Sequence, residues 1–212
     1  MKNSAVFFLG LFAVFALSWA GIVLGTQAQL GDLAPHFDEM EEKAFPLRQS
    51  GLATRGQQVF QDLGCIACHT QQVRRPDFGS DQARGWGDRQ SVSRDYLYQA
   101  RPLLGNQRSG PDLANYGARA EARELTEADM LVELYNGSDE RPPHRFLFEV
   151  REILGEPSPK ALHGVAPEGY ELVPTERALN LVAYLFSLKQ TYDFAEAQPY
   201  EGGEDAAEGG AQ

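Results

Sequence analysis

The chain is short of the residues that hold metals and cofactors. Among its 212 residues are two cysteines, three methionines and four histidines. Without a third cysteine, a structural zinc site, which takes about four ligands, is short of sulfur. No strand-period alternation of useful length and no internal repeat is visible, so the pattern argues against a sheet-built or repeat fold. Positive charge is also scarce. Nineteen Lys and Arg stand against thirty Asp and Glu, for a formal net charge of −11. That balance disfavours a nucleic-acid partner, which needs basic surface.

Both cysteines fall in one five-residue run, Cys65-Ile66-Ala67-Cys68-His69. C-x-x-C-H is the pattern of covalent c-type haem attachment. The two thiols can add across the haem vinyl groups, and His69 follows directly, so its imidazole can reach the iron as proximal ligand. A redox dithiol would sit after a strand in a βαβ pattern, and the flanks here read as helical. One covalent haem c takes up both cysteines and leaves none for a disulfide. Haem is attached outside the cytoplasm, which puts the site on the periplasmic side in a bacterium.

Long uncharged runs are confined to one place. Residues 5–25 carry no charge. A helix of that length rises about 31 Å, enough to cross the hydrocarbon core. It is longer than the roughly 7–15 apolar residues of a signal peptide, so a retained anchor over 1–25 is expected. Lys2 is the only charge ahead of it and acids follow, which keeps the N-terminus cytoplasmic. Residues 26–50, with Pro35, Pro46 and the charged stretch 38–43, read as a linker that keeps the next domain near the membrane. At the other end, residues 193–212 read as a disordered acidic tail.

The domain between, 51–192, reads as mostly α. A helix over 52–63 has Val59, Phe60 and Leu63 on one face and stops at Gly64. Ser93 caps a short helix from 94 to about 100, ended by Pro102. Thr126 to Asp129 resembles a capping box opening a helix to about 135, with Asn136-Gly137 as its stop. Residues 155–174, rich in Pro and Gly, read as loop. Thr175 caps a last helix, 176 to about 190, with one apolar stripe of Ala178, Leu181, Val182, Leu185 and Leu188.

Two further features point at the haem. Nine arginines lie between 74 and 123, and Arg74 and Arg75 come just past the motif. Arg74 and Arg108 are candidates to pair with haem propionates, against ordinary ion pairing with the neighbouring aspartates. Gly110-Pro111-Asp112-Leu113 reads as a loop whose Pro111 carbonyl can accept a bond from the second nitrogen of His69 and fix its tautomer.

A helix ending in C-x-x-C-H, a G-P-D-L loop and a C-terminal helix together resemble a class I cytochrome c domain. The stretches Gly64–Arg74, Tyr96-Leu97-Tyr98, Leu104–Leu113 and Leu134-Tyr135-Asn136, behind a single anchor, are similar to the membrane-anchored mono-haem subunit (subunit II) of cbb(3)-type cytochrome c oxidases. The resemblance implies a single-pass inner-membrane protein with a periplasmic haem domain. Its partners would be a donor cytochrome c and haem–copper oxidase membrane subunits, and it would relay electrons without an active site of its own. An anchored carrier for another respiratory or photosynthetic complex and a haem-based gas sensor are the alternatives.

One departure from that family stands out. The resemblance implies a second axial ligand from a Met before Pro, and the corresponding stretch reads Glu140-Arg141-Pro142-Pro143-His144-Arg145-Phe146-Leu147. Arg141 has no lone pair for iron. The Met and His residues after His69 are Met130, His144 and His163. They are the candidates for the sixth ligand, with His144 closest to the aligned position, and an open site is the remaining option.

Overall fold

The protein is described here by a computed structural model covering residues 3–139 and 141–198. It forms two compact units. The first joins the N-terminal residues through Pro46 with Ser93–Gln99. It opens with helix α1, Ser4–Leu30, 27 residues whose 18-residue apolar window has a mean hydropathy of 2.4, none of it buried, long and apolar enough to cross a membrane. A π-helical turn, Ala20–Leu24, interrupts its α geometry.

After α1 the stretch expected as linker carries structure of its own. Strands β1, His36–Asp38, and β2, Lys43–Phe45, pair antiparallel with His36 opposite Phe45. The turn closes because the Asp38 carboxylate accepts the N–H groups of Met40, at 2.8 Å, and Glu41, at 3.1 Å. The Arg94 guanidinium donates to the Ala34 carbonyl within the same unit. The helix expected after Ser93 shrinks to a single 3₁₀ turn, Ser93–Tyr96.

The second unit holds the helices. Helix α2, Gly51–Asp62, starts at Ser50, whose hydroxyl accepts the Ala53 N–H at 3.2 Å. It is terminated within two residues by Gly64, held left-handed at φ 70°. Helix α3, Tyr116–Ala122, was not expected from the pattern. It is short, and the Asn115 side chain that precedes it does not cap it. Instead Asn115 accepts the Gln190 N–H at 2.7 Å, so the usual local start signal is spent on a tertiary contact. Helix α4, Glu127–Asn136, has the full capping box between Thr126 and Asp129 and ends at Gly137. Helix α5, Glu176–Ser187, is capped by Thr175. It stops short of the expected residue 190. The Leu188 backbone turns extended, and its carbonyl accepts the N–H of Gly117 at 2.9 Å.

The second departure from expectation lies between α4 and α5. Strands β3, Phe148–Glu152, and β4, Tyr170–Pro174, form an antiparallel hairpin inside what read as loop. Each strand is five residues long, and β3 buries only its first. Such a strand shows no alternation for a sequence pattern to reveal. Its register is set across the pair, where Arg151 faces Glu171 and donates to its carboxylate at 2.9 Å. At the C-terminal end, residues 193–198, assigned by composition to the acidic tail, include Phe194 and Ala197, both buried. The remainder of that tail lies outside the described residues.

Helices α2 and α5 make the central contact of this unit. Ala53, Val59 and Phe60 pack against Ala178, Leu181, Val182, Tyr184 and Leu185, and the Phe60 and Tyr184 rings meet edge-on at 5.6 Å. Gly56 permits the approach, since a Cβ there would overlap the Asn180 carbonyl and lie 2.6 Å from Cβ of Tyr184. Gly56→Val is therefore expected to lower the unfolding free energy by about 2–3 kcal/mol, read by urea denaturation. Arg55→Val, one residue away on the exposed side, should cost under about 1 kcal/mol.

Candidate functional site

The end of α2 sets the site. Gly64 breaks the helix, and a 3₁₀ turn over Cys65–Ala67 follows, closed by bonds from Ala67 N–H to the Gly64 carbonyl (2.9 Å) and from His69 N–H to the Cys65 carbonyl (3.0 Å). Cys65, Cys68 and His69 all line one cavity of about 490 Å³. Two thiols and an imidazole thus share one wall, which is the donor set that covalent haem attachment requires.

The loop 110–113 fixes the imidazole. The Pro111 carbonyl lies 2.8 Å from Nδ1 of His69, so Nδ1 donates and Nε2 is the nitrogen with a free lone pair. Gly110 leaves room for the ring, because a Cβ there would overlap it. The loop is itself tied down. Gly110 N–H donates to the Cys68 carbonyl at 2.9 Å and Leu113 N–H to the Thr70 carbonyl at 2.8 Å. The fully buried Asp112 carboxylate accepts from the Thr70 hydroxyl at 2.5 Å and from the N–H groups of Gln72 and Ala114, each at 2.8 Å.

Burial pushes the Cys65 thiol up to about 11. Apolar wall is supplied by Phe60 of α2, Leu113, Leu134 of α4, and Leu181 and Leu185 of α5. The residues present fit a haem: linkers, a donor with its second nitrogen anchored, and an apolar slot.

The proposed sixth-ligand candidates separate. Met130 and His144 both line the cavity, and His163 does not. Met130 is 5% exposed, and its sulfur accepts the Tyr116 hydroxyl at 2.6 Å. Burial lowers the His144 pKa, aided by Arg141 and opposed by the Pro142 backbone, so the ring favours its neutral, electron-donating form. Arg141 also lines the cavity, ion-paired to Glu133 at 2.9 Å.

The arginines are placed differently from expectation. Neither Arg74 nor Arg108 is among the residues lining the cavity. Both turn to the buried Asp81. Arg74 reaches its carboxylate at 3.0 Å, and Arg108 ion-pairs with it while donating to the Gln72 carbonyl at 2.6 Å. Two buried carboxylates, Asp81 and Asp112, demand compensation before any outside anion does. The arginines that do line the cavity are Arg84, Arg119, Arg123 and Arg141. Proximity to the motif in sequence pointed away from them. Only Arg119 carries a local hint, four residues into the segment after Asn115, and it donates to the Asp112 carbonyl at 2.6 Å.

Burial opposes ionisation of Asp81, yet hydrogen bonds from Arg74 and Arg108 outweigh it and hold the group at about 2, against 3.8 for a free aspartate. A depressed carboxylate stabilises the fold above its unfolded value and loses that contribution as pH falls. Stability should therefore drop between about pH 4 and pH 2, with at most about 2 kcal/mol due to this group. Acid titration of the unfolding free energy should show that component missing in Asp81→Asn.

No curated protein matches the chain. A family model described as cytochrome C oxidase, mono-heme subunit/FixO, matches residues 3–131, which takes in α1, the C-x-x-C-H turn, the Pro111 loop and the start of α4. That match covers more than half of the chain, and the protein belongs to the FixO family of cytochrome c oxidase mono-haem subunits.

Proposed function

We propose that this protein is a membrane-anchored c-type cytochrome that relays electrons to the catalytic subunit of a cbb(3)-type haem–copper oxidase. Helix α1 is the single transmembrane anchor, with the N-terminus cytoplasmic and the second unit in the periplasm at the inner membrane. The observation that carries the reading is the convergence of Cys65, Cys68 and His69 on one apolar cavity, with the Pro111 carbonyl on the far nitrogen of the imidazole.

The residues divide the work. Cys65 and Cys68 hold one haem c through thioethers, so it stays with the chain through repeated redox cycles. His69 presents Nε2 as proximal ligand, and Pro111 and Gly110 set the direction of its ring. Leu113, Leu134, Leu181 and Leu185 exclude water from the slot, which lowers the solvent reorganisation that accompanies a change of charge. The haem supplies a one-electron carrier. Arg84, Arg119 and Arg123, rather than Arg74 and Arg108, offer cationic partners for the propionates. The donor is a cytochrome c on the periplasmic side, and oxygen chemistry belongs to the partner subunit.

Expression with a c-type maturation system tests the reading. Wild-type protein should retain haem on a denaturing gel. Cys65→Ala with Cys68→Ala should lose all covalent haem, and either single change should leave one thioether, visible in the pyridine haemochrome spectrum. Full-length protein should co-purify with a copper-containing membrane subunit. Haem-free wild-type protein from a competent maturation host would sink the proposal.

A further inference from the structure

Arg141 stands where the resemblance to the oxidase subunit implies the methionine ligand, and its guanidinium is committed to Glu133 at 2.9 Å. The cavity must find its second donor elsewhere. Two uncharged candidates line it besides His69, Met130 and His144. They differ in what they are already doing. The Met130 sulfur is occupied by the Tyr116 hydroxyl at 2.6 Å on a helix whose apolar face is core. His144 also lines the cavity, and its buried Nδ1 has no hydrogen-bond partner among the described residues.

The chain holds this histidine deliberately in place. Its backbone N–H donates to the Leu134 carbonyl of α4 at 2.7 Å, and the Ser138 N–H donates to the Arg141 carbonyl at 2.8 Å. Gly137, at φ 68°, lets the turn fold so tightly that a Cβ would lie 2.7 Å from the Pro143 nitrogen. Pro142 and Pro143 fix two more backbone angles ahead of the ring. An imidazole on a stiff turn loses little entropy when it binds.

We infer that His144 supplies the second axial nitrogen, so that the haem iron is held between His69 and His144. The inference rests on the haem reading given under Proposed function. It makes this subunit a bis-imidazole cytochrome within a methionine-ligated family, with a lower potential than a methionine-ligated relative, since an axial Met raises the potential.

The test uses the full-length protein in detergent with its haem attached, checked first by haem retention on a denaturing gel. Wild type should be low-spin in both redox states, inert to carbon monoxide, and lack the sulfur-to-iron charge-transfer band of Met-ligated ferric haem. His144→Ala should become high-spin and bind carbon monoxide, and added imidazole should restore the low-spin spectrum. His144→Met keeps a donor and guards against loss of folding in the alanine variant. It should stay low-spin, gain the sulfur band and shift the potential upward. His163→Ala should change none of these spectra. A low-spin, carbon monoxide-inert His144→Ala protein would overturn the assignment, as would a sulfur band in wild type, which would give the role to Met130. Wild type that is already high-spin and binds carbon monoxide would also overturn it, in favour of an open site. Absence of covalent haem from wild type is a separate result that removes the haem reading itself.

Discussion

The hydrogen bond between Nδ1 of His69 and the Pro111 carbonyl is the interaction on which the site depends. Beside it runs a zipper in which Gly110 and Leu113 donate backbone bonds to Cys68 and Thr70 around the buried Asp112 carboxylate. Asp112 satisfies two N–H groups and one hydroxyl at once. Each would cost about 1–3 kcal/mol if buried alone. The loop is therefore rigid where the imidazole needs it to be. The His69 ring gains a fixed direction and tautomer from such a neighbour.

The rest of the second unit brings walls to that imidazole. Gly56 admits α5 against α2, and the contact aims Leu181 and Leu185 at the cavity. The capped start of α4 positions Met130 and Leu134, and the Gly137 turn carries His144 back into the lining. Charge is distributed to match. The chain is acidic as a whole, while its cavity is lined by four arginines and one glutamate. Two other arginines are withdrawn to neutralise the buried Asp81. An acidic protein thus keeps a locally cationic slot, the arrangement that suits an apolar ring system with carboxylate arms.

Much of this was readable from local signals. Gly64 as the stop of α2, the Thr126 and Thr175 caps and the uncharged run of α1 each depend on residues a few positions apart. Local chemistry decides such features, and the sequence shows it directly. The hairpin of β3 and β4 escaped because its register lies in a contact between Arg151 and Glu171 twenty residues apart. Helix α3 escaped because Asn115 serves Gln190 instead of the helix. The contacts of Arg74 and Arg108 with Asp81 escaped for the same reason, since nearness along the chain says little about which carboxylate a long side chain meets.

By itself the sequence determined what can be covalently or locally specified: two thiols and an imidazole in one turn, and one apolar helix. The tertiary structure decided what depends on distance across the fold. It brought Met130 and His144 into the cavity and left His163 out, it tied the Met130 sulfur to Tyr116, it turned Arg74 and Arg108 to Asp81, and it lined the cavity with Arg84, Arg119, Arg123 and Arg141. The physical reason is burial. Asp81 and Asp112 must be compensated inside the fold, and only the packed chain determines which side chains remain free to face a haem.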